Sequence, residues 1–285
     1  MSVILVTGAS RGIGRELAAR AVARGDTVFA VVRQEKDLSA LGAHPNLKVV
    51  RMDIRDTVSV EAGFAAVDQL LNGGRLDAVI HSAAIAKPNT LEVGTVEEFA
   101  ETLDTNTLGT LRVLKAALPR LRGGGGRLIL MTSLWGKTSG AMVGSYSASK
   151  HAIESIADCA RRETAGMGVD IVVVEPGVVK TEMLTGMSDT TEGLLARMPE
   201  QHRLLYGNLY RRYARLTQSS TRAAITAAQC SEAIERILKV RRPRTRYKVG
   251  LDSRIVCLLA WLLPDRWMDA LMGLSLNNKP LKSAD

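Results

Sequence analysis

The sequence predicts an α/β protein with a doubly wound parallel sheet in three layers, helices over sheet over helices. Three observations predict it. Nearly continuous apolar runs rich in β-branched residues alternate with helical patterns, as expected of parallel strands covered on both faces. The chain also opens as strand, glycine-rich loop and helix in direct succession. Finally, 285 residues with 46% hydrophobic content can bury a full core, so residues 1 to 285 are expected to form a single domain.

The strand-like runs, in order, are VILVT, VFAVVR, LKVVRMD, LDAVIHSA, GRLILMTS and VDIVVVEPG, with helical patterns in the gaps. Right-handed crossovers turn such a series into a doubly wound sheet. Past Gly177 the alternation stops. Residues 182 to 217 are rich in Met, Leu, Tyr and Arg without a strand pattern, and read as a helical substrate lid. A helical pattern from Arg222 to Val240 follows, then the basic run RRPRTR, a short strand-like RYKVG, and an apolar segment from Ile255 to Leu276. The expected division is a cofactor half to residue 135, a catalytic and substrate half over 136 to 250, and an apolar extension over 251 to 285.

Two stretches carry chemistry. In TGASRGIG, residues 7 to 14, Gly8 permits the sharp turn out of the strand and Gly12 lets backbone approach an anion. Gly14 removes a side chain where the helix must pack on the sheet. Unpaired N–H groups at the helix start then face a phosphate, the alternative being a merely tight turn. In YSASK, residues 146 to 150, a phenol and an ammonium stand four residues apart on one helix face. The ammonium is expected to lower the Tyr146 pKa from its ordinary value of about 10, making Tyr146 a general acid and base. A packed ring beside a solvated amine is the other reading of that spacing.

Composition excludes some classes. Three cysteines, Cys159, Cys230 and Cys257, are far apart and odd in number, which argues against a disulfide framework or zinc cluster and leaves them as small buried hydrophobes. The first strand begins at once, with no signal-peptide pattern, so a cytoplasmic protein is expected. The longest apolar run, Ile255 to Leu263, is too short to span a bilayer and ends at Pro264. The net charge of +9 comes with no nucleic-acid motif and only 4% aromatic residues, so no nucleic-acid partner is assigned. Arg236, Lys239, Arg241, Arg242, Arg244, Arg246 and Lys248 precede the apolar tail. They read either as a solvated face or as a peripheral contact with an anionic membrane.

TGASRGIG and YSASK together resemble the short-chain dehydrogenases/reductases, in the branch that carries GxxxGxG and YxxxK. The resemblance runs in order and spacing over residues 2 to 183. It includes Asp53 after the third strand, HSAA at 81 to 84 where the family usually has NNAG, Asn106 in TNTLG, Ser133 in TSLWG, and Pro176-Gly177 followed by Thr181. It implies a Rossmann-type fold, a nicotinamide cofactor, and a homodimer or homotetramer paired through helices around 97 to 118 and 147 to 166.

The residues matching the family's cofactor positions are Gly8, Ser10, Arg11, Gly12, Ile13 and Gly14 in the loop, then Asp53, Ile54, Ala83 and Ala84. Pro176, Gly177, Val179 and Thr181 complete them, Thr181 being expected on the nicotinamide carboxamide, with Tyr146 and Lys150 from the catalytic helix. After the second strand stands Arg33 rather than an acid, and an arginine there accommodates a 2′-phosphate. With Arg11 as a second cation, the expected cofactor is NADP(H). A solvated strand-end charge is the alternative for Arg33, and Glu35 could reach a ribose instead. Asp53 is expected to meet the adenine amine, or else to cap the next turn.

The implied catalytic group is Asn106, Ser133, Tyr146 and Lys150. Tyr146 would exchange the proton, Ser133 hold the carbonyl oxygen, Lys150 tune Tyr146 and bond the ribose, and Asn106 support a water chain. HSAA departs from NNAG, which puts local backbone bonding in doubt; His81 reads as structural, and no metal is assigned. Leu134, Trp135, Met142, Val143, Met183, Leu184 and Met187 suggest an apolar pocket for a lipophilic ketone or alcohol. The carboxy-terminal part is loosely similar to tails of hydroxysteroid- and retinol-dehydrogenase-like members. Rival readings are a nicotinamide-binding sensor or scaffold without turnover, a reductase acting on an imine, and a longer-branch epimerase or dehydratase, which the glycine spacing opposes.

Overall fold

In the computed structural model, residues 1–34, 37 and 42–276 are described; Glu35 lies outside them. Among the described residues nine strands form, β1 Val3–Thr7, β2 Thr27–Val32, β3 Leu47–Arg51, β4 Ala78–His81, β5 Gly126–Met131, β6 Val169–Pro176, β7 Val179–Lys180, β8 Ile225–Thr226 and β9 Arg246–Val249. Seven build one parallel sheet in the order β3-β2-β1-β4-β5-β6-β9, so each of the expected runs is a strand and RYKV adds an edge. The order reverses between β1 and β4. In doubly wound sheets the crevice at that switch point, beyond the carboxyl ends of the strands, is where ligands bind.

Side-chain alternation divides the core into two. Phe29, Leu5, Val79, Leu128 and Ile171 are register partners across five strands and share one face. Their neighbours Ala30, Val6, Ile80, Ile129 and Val172 form the matching row on the other. On the first face pack α2 Thr57–Leu71, α4 Gly109–Leu121 and α5 Gly144–Glu163, through Phe64, Leu114 and Ile153 among others. On the second pack α1 Gly12–Ala23 and α8 Ala227–Lys239, through Leu17 and Ile234. Each fully buried Val, Leu, Ile or Phe in these rows contributes about 1.5–3 kcal/mol.

The short helix α3 Val96–Leu103 runs through a five-residue π-turn, Asp104–Leu108, into α4. That turn contains Asn106. The lid region forms two helices, α6 Glu182–Arg197 and α7 Glu200–Ala223. The excursion leaves from β7 and returns at β8, which pair with each other as Val179↔Ile225 and Lys180↔Thr226 and so tie its neck. It therefore extends past residue 217, and the helix expected from Arg222 begins only at Ala227. The reason is local: Thr226 and Gln229 form a capping box that starts α8 afresh.

The tail folds as α9 Leu251–Leu262 and α10 Asp265–Leu276, separated at Pro264. Two readings of surface residues need correction. Cys159 is exposed, whereas Cys230 and Cys257 are buried. Arg246 is no free cation of the basic run, since it bonds Glu154 at 2.9 Å and Asp158 at 2.8 Å inside the structure.

Candidate active site

The switch-point crevice is a cleft of ≈ 350 Å³ between the loops that follow β1 and β4. Gly8 has φ +69°, and a Cβ there would stand 2.8 Å from the Ala83 backbone, so glycine alone fits. Gly12, at φ +56°, opens α1 on the wall of the cleft, and no side chain caps that helix start. Gly14 meets the carbonyl of Gly8, so the missing side chain lets helix pack on loop rather than on sheet. The expected residues Ser10, Arg11, Ile13, Arg33, Asp53, Ile54, Ala83, Ala84 and Thr181 all line this cleft.

Several expectations shift. Asp53 gives its carboxylate to Arg55, with Nη2 at 2.9 Å, and this hydrogen bond holds Asp53 below the usual carboxylate range. Its adenine role must therefore compete with Arg55, a residue the sequence reading missed. Pro176, Gly177 and Val179 do not line the cleft. The N–H of Gly177 donates to Val249 O at 2.9 Å, and that of Val178 donates to the Asp252 carboxylate at 2.6 Å, so neither is free to orient a ring. Met183, expected on the substrate, lines the cofactor cleft instead.

HSAA is organised by a residue on the neighbouring strand of the sheet, 74 positions before His81. Thr7 Oγ1 accepts the N–H of Ser82 at 3.2 Å and of Ala83 at 3.3 Å. Its own proton is then free for His81 Nδ1, 2.8 Å away, which leaves Nε2 as the protonated nitrogen. Burial, with the nearby Lys150 charge, pushes His81 down to about 3, so it stays neutral. The departure from NNAG thus leaves these backbone groups bonded.

Around Tyr146 the expected residues come together. Asn106, wholly buried, clasps Ile85 from both sides, accepting its N–H at 2.8 Å and donating to its carbonyl at 2.9 Å. It also donates to Ser149 Oγ at 3.0 Å, and Ser149 donates to the Tyr146 carbonyl at 2.7 Å. Asn106 makes no bond to Lys150 in this network. Ser133 accepts the N–H of Trp135 at 3.2 Å, which leaves its hydroxyl proton available. Lys150, 2% exposed, donates to Met131 O at 2.8 Å and stands 5.4 Å from the centre of the Tyr146 ring.

The Tyr146 pKa runs against expectation. Burial pushes it up to about 12, opposed by hydrogen bonding with Ser133. Desolvation outweighs that bond, and the neighbouring ammonium is itself anchored on a main-chain carbonyl. Burial pushes Lys150 down to about 8, against the upward pull of Glu154. Glu154, one helical turn beyond Lys150, accepts from Thr132 and Lys137 at 2.7 Å each and was also missed; its i+4 spacing from Lys150 was the available signal.

The apolar wall forms where the lid closes over Tyr146. Met142, Val143, Met198, Leu209, Tyr210 and Tyr213 make a buried cluster, against which Trp135, Tyr146, Met187 and Leu194 pack. Leu134 is buried and Leu184 half-buried outside that cluster. Met142 takes φ +71°, a strained conformation beside the site, and its carbonyl accepts the Asn89 N–H at 2.8 Å. Burial raises the Tyr213 phenol, and the adjacent Tyr146 adds to the rise.

A glycine cradle at a switch point, together with a Ser, Tyr and Lys group on β5's end and the α5 helix, is the layout of a nicotinamide-dependent oxidoreductase. A family model described as short chain dehydrogenase matches residues 2–192. The chain belongs to the short-chain dehydrogenase/reductase family. Human retinol dehydrogenase 5 is 30% identical, the alignment covering 94% of this chain and 87% of that one. A 3-amino-tetrahydro-pyrrolizinone reductase from Xenorhabdus hominickii is 29% identical, covering 93% and 94%. A solved short chain dehydrogenase from Burkholderia cenocepacia, in complex with NADP, shares the fold with a TM-score of 0.73 over 95% of this chain and 97% of that one, at 23% identity. An alcohol dehydrogenase from Thermococcus sibiricus, complexed with 5-hydroxy-NADP, gives a TM-score of 0.69 over 89% and 97% at 25% identity.

The family uses a nicotinamide cofactor, and the residues present fit one. The Gly8–Ala83 approach, the open start of α1 and the cations Arg11 and Arg33 would hold its phosphates.

Proposed function

We propose that the protein is an NADP(H)-dependent oxidoreductase for a lipophilic ketone or secondary alcohol, with Tyr146 as general acid and base. One observation carries this reading: the Tyr146 ring packs against the lid's apolar cluster while the Lys150 ammonium stands 5.4 Å from the ring centre. Tyr146 therefore joins the proton chemistry to an apolar substrate wall. The nicotinamide, when bound, supplies or takes up the hydride. Tyr146 gives its proton to the developing alkoxide in reduction and takes it back in oxidation. Ser133 donates its free hydroxyl proton to the same oxygen, a bond that strengthens as negative charge grows. Lys150, fixed on Met131 O, holds positive charge beside the phenol and would bond the cofactor's ribose, while Asn106 steadies Ile85 and, through Ser149, the helical turn that carries Tyr146.

NADP(H) rather than NAD(H) is favoured by Arg33 and Arg11, both exposed on the cleft, whose wall after β2 also carries the carboxylate of Asp37. The archaeal relative complexed with 5-hydroxy-NADP accords with this choice. The named substrate of retinol dehydrogenase 5 is an apolar alcohol, in keeping with the lid. A cytoplasmic setting and two-fold pairing through α4 and α5 belong to the same proposal.

The test is NADPH oxidation against a panel of aliphatic, aromatic, steroidal and polyketide-like carbonyls, with cyclic imines added. Turnover is expected with large apolar ketones. No consumption with any of them would leave the sensor reading standing. Arg33→Asp is expected to weaken NADPH binding about tenfold or more, through loss of a charge-assisted phosphate bond, and to leave NADH binding little changed. Equal losses for both cofactors would remove Arg33 from the 2′-phosphate.

A further inference from the structure

The two tail helices turn their apolar faces outward. In α9, Leu251, Ile255, Leu258 and Leu262 recur at intervals of four, three and four residues, and all four are exposed. The opposite face is the one against the body, where Ser253 and Cys257 are buried and Ser253 donates to the Glu175 carbonyl at 2.7 Å. A helix packed on its own core has the reverse arrangement. In α10, Trp267, Leu271 and Leu274 repeat the pattern, and Leu274 and Trp261 are 81% and 80% exposed. So many exposed large apolar side chains on the two helices mark an interaction face.

A second observation gives the chemistry of what covers it. Beside α9 lies a groove lined by Arg244, Lys248, Arg254 and Trp261. These three cations are exposed and make no ion pair among the described residues, unlike Arg246 in the same run. The carboxylate at the groove floor, Glu175, is fully buried and already faced by Lys137 and Arg246, each 3.6 Å away. The open rim is therefore cationic, and it borders leucine and tryptophan.

We propose that α9 and α10 dock the protein on the surface of an anionic phospholipid bilayer. Leucines and the two tryptophans enter the interfacial layer, where amphipathic rings are favoured, and Arg244, Lys248 and Arg254 meet lipid phosphates. The contact is peripheral, because no helix among the described residues is long and apolar enough to cross a membrane. A second copy of the chain suits the face less well, since a two-fold contact would bring this cationic rim against itself. Leu276, at the end of α10, packs on the lid cluster, so docking also sets the bilayer beside the substrate wall; this last point alone rests on the lipophilic-substrate reading.

The experiment is co-sedimentation of the full chain with vesicles of phosphatidylcholine, with and without phosphatidylglycerol. Pelleting with the anionic vesicles is expected, with indole emission moving to the blue. Neutralising Arg254→Ala or Lys248→Ala should each lower partitioning about fivefold. Leu258→Glu with Trp261→Glu should abolish it, while NADPH binding and turnover of a soluble ketone stay as in the wild type. Protein left in the supernatant with both vesicles overturns the proposal, and so does pelleting that the Leu258→Glu/Trp261→Glu variant retains. Sedimentation velocity showing a dimer that this variant splits, without vesicle binding, would assign the face to a second copy. Solution turnover is read separately, so loss of docking and loss of the catalytic reading are distinct results.

Discussion

Two walls meet at Tyr146, and different forces hold them. On the sheet side, Lys150 hangs from Met131 O, Asn106 clasps Ile85, and Thr7 gathers His81, Ser82 and Ala83. On the lid side, Met187, Leu194, Met198 and Tyr213 make apolar contacts, and the hydrogen bonds across to the body come chiefly from Tyr210 and Tyr206. Directional bonds fix atoms to a fraction of an ångström, whereas methionine-rich contacts tolerate exchange. Proton chemistry and substrate choice can therefore change independently.

Tyr146→Phe is the strongest test of that separation. The substitution removes the exchangeable proton and keeps the ring in the apolar cluster. Turnover should fall by at least about 10²–10⁴-fold, while NADPH affinity and thermal stability hold close to the wild type. Steady-state rates and cofactor titration measure both. If activity survived, the proton would have to come from elsewhere on the sheet-side wall.

Lys150 sharpens the contrast through pH. Its pKa in the folded protein, about 8, lies below its ordinary 10.5 because burial disfavours the charge. Between those values the unfolded chain binds the extra proton, so folding stability rises as pH climbs through that window. A shift of this size corresponds to roughly 3 kcal/mol. Urea midpoints across the window should climb in the wild type and flatten in Lys150→Met. A lid variant such as Met187→Ala should keep the climb; a flat wild-type profile would mean that the ammonium is better solvated than its burial implies.

The same division explains what the sequence discloses. Gly8, Gly12 and YSASK were legible because backbone conformation and helical spacing permit few residue types there. The sheet was legible because burial on both faces leaves continuous apolar runs. Thr7, Arg55 and Asp252 were not, since each works through a partner that only the fold brings near: Thr7 reaches His81 across 74 positions, and Asp252 reaches Val178 across the same separation. Sequence spacing correctly placed Lys150 beside Tyr146, but the sign of the Tyr146 shift depended on desolvation, which spacing does not report. In the lid, composition indicated apolar character while the capping box at Thr226, which sets where α8 begins, passed unused.

Tyr210→Phe probes the few directional bonds that the lid does make. Its side chain is wholly buried, and its hydroxyl bonds Asn89 Oδ1 and lies 3.3 Å from both the N–H and the hydroxyl of Thr90. Removing it leaves Asn89 and Thr90 under-satisfied at the segment that follows the cofactor loop. Because the Thr90 N–H keeps a second acceptor in Asn89 Oδ1 at 3.0 Å, the cost should be only about 1 kcal/mol. Tyr146 is untouched, so KM should rise several-fold with kcat nearly constant. An equal fall in kcat would mean that the lid also sets the reacting geometry, and that the two walls act as one.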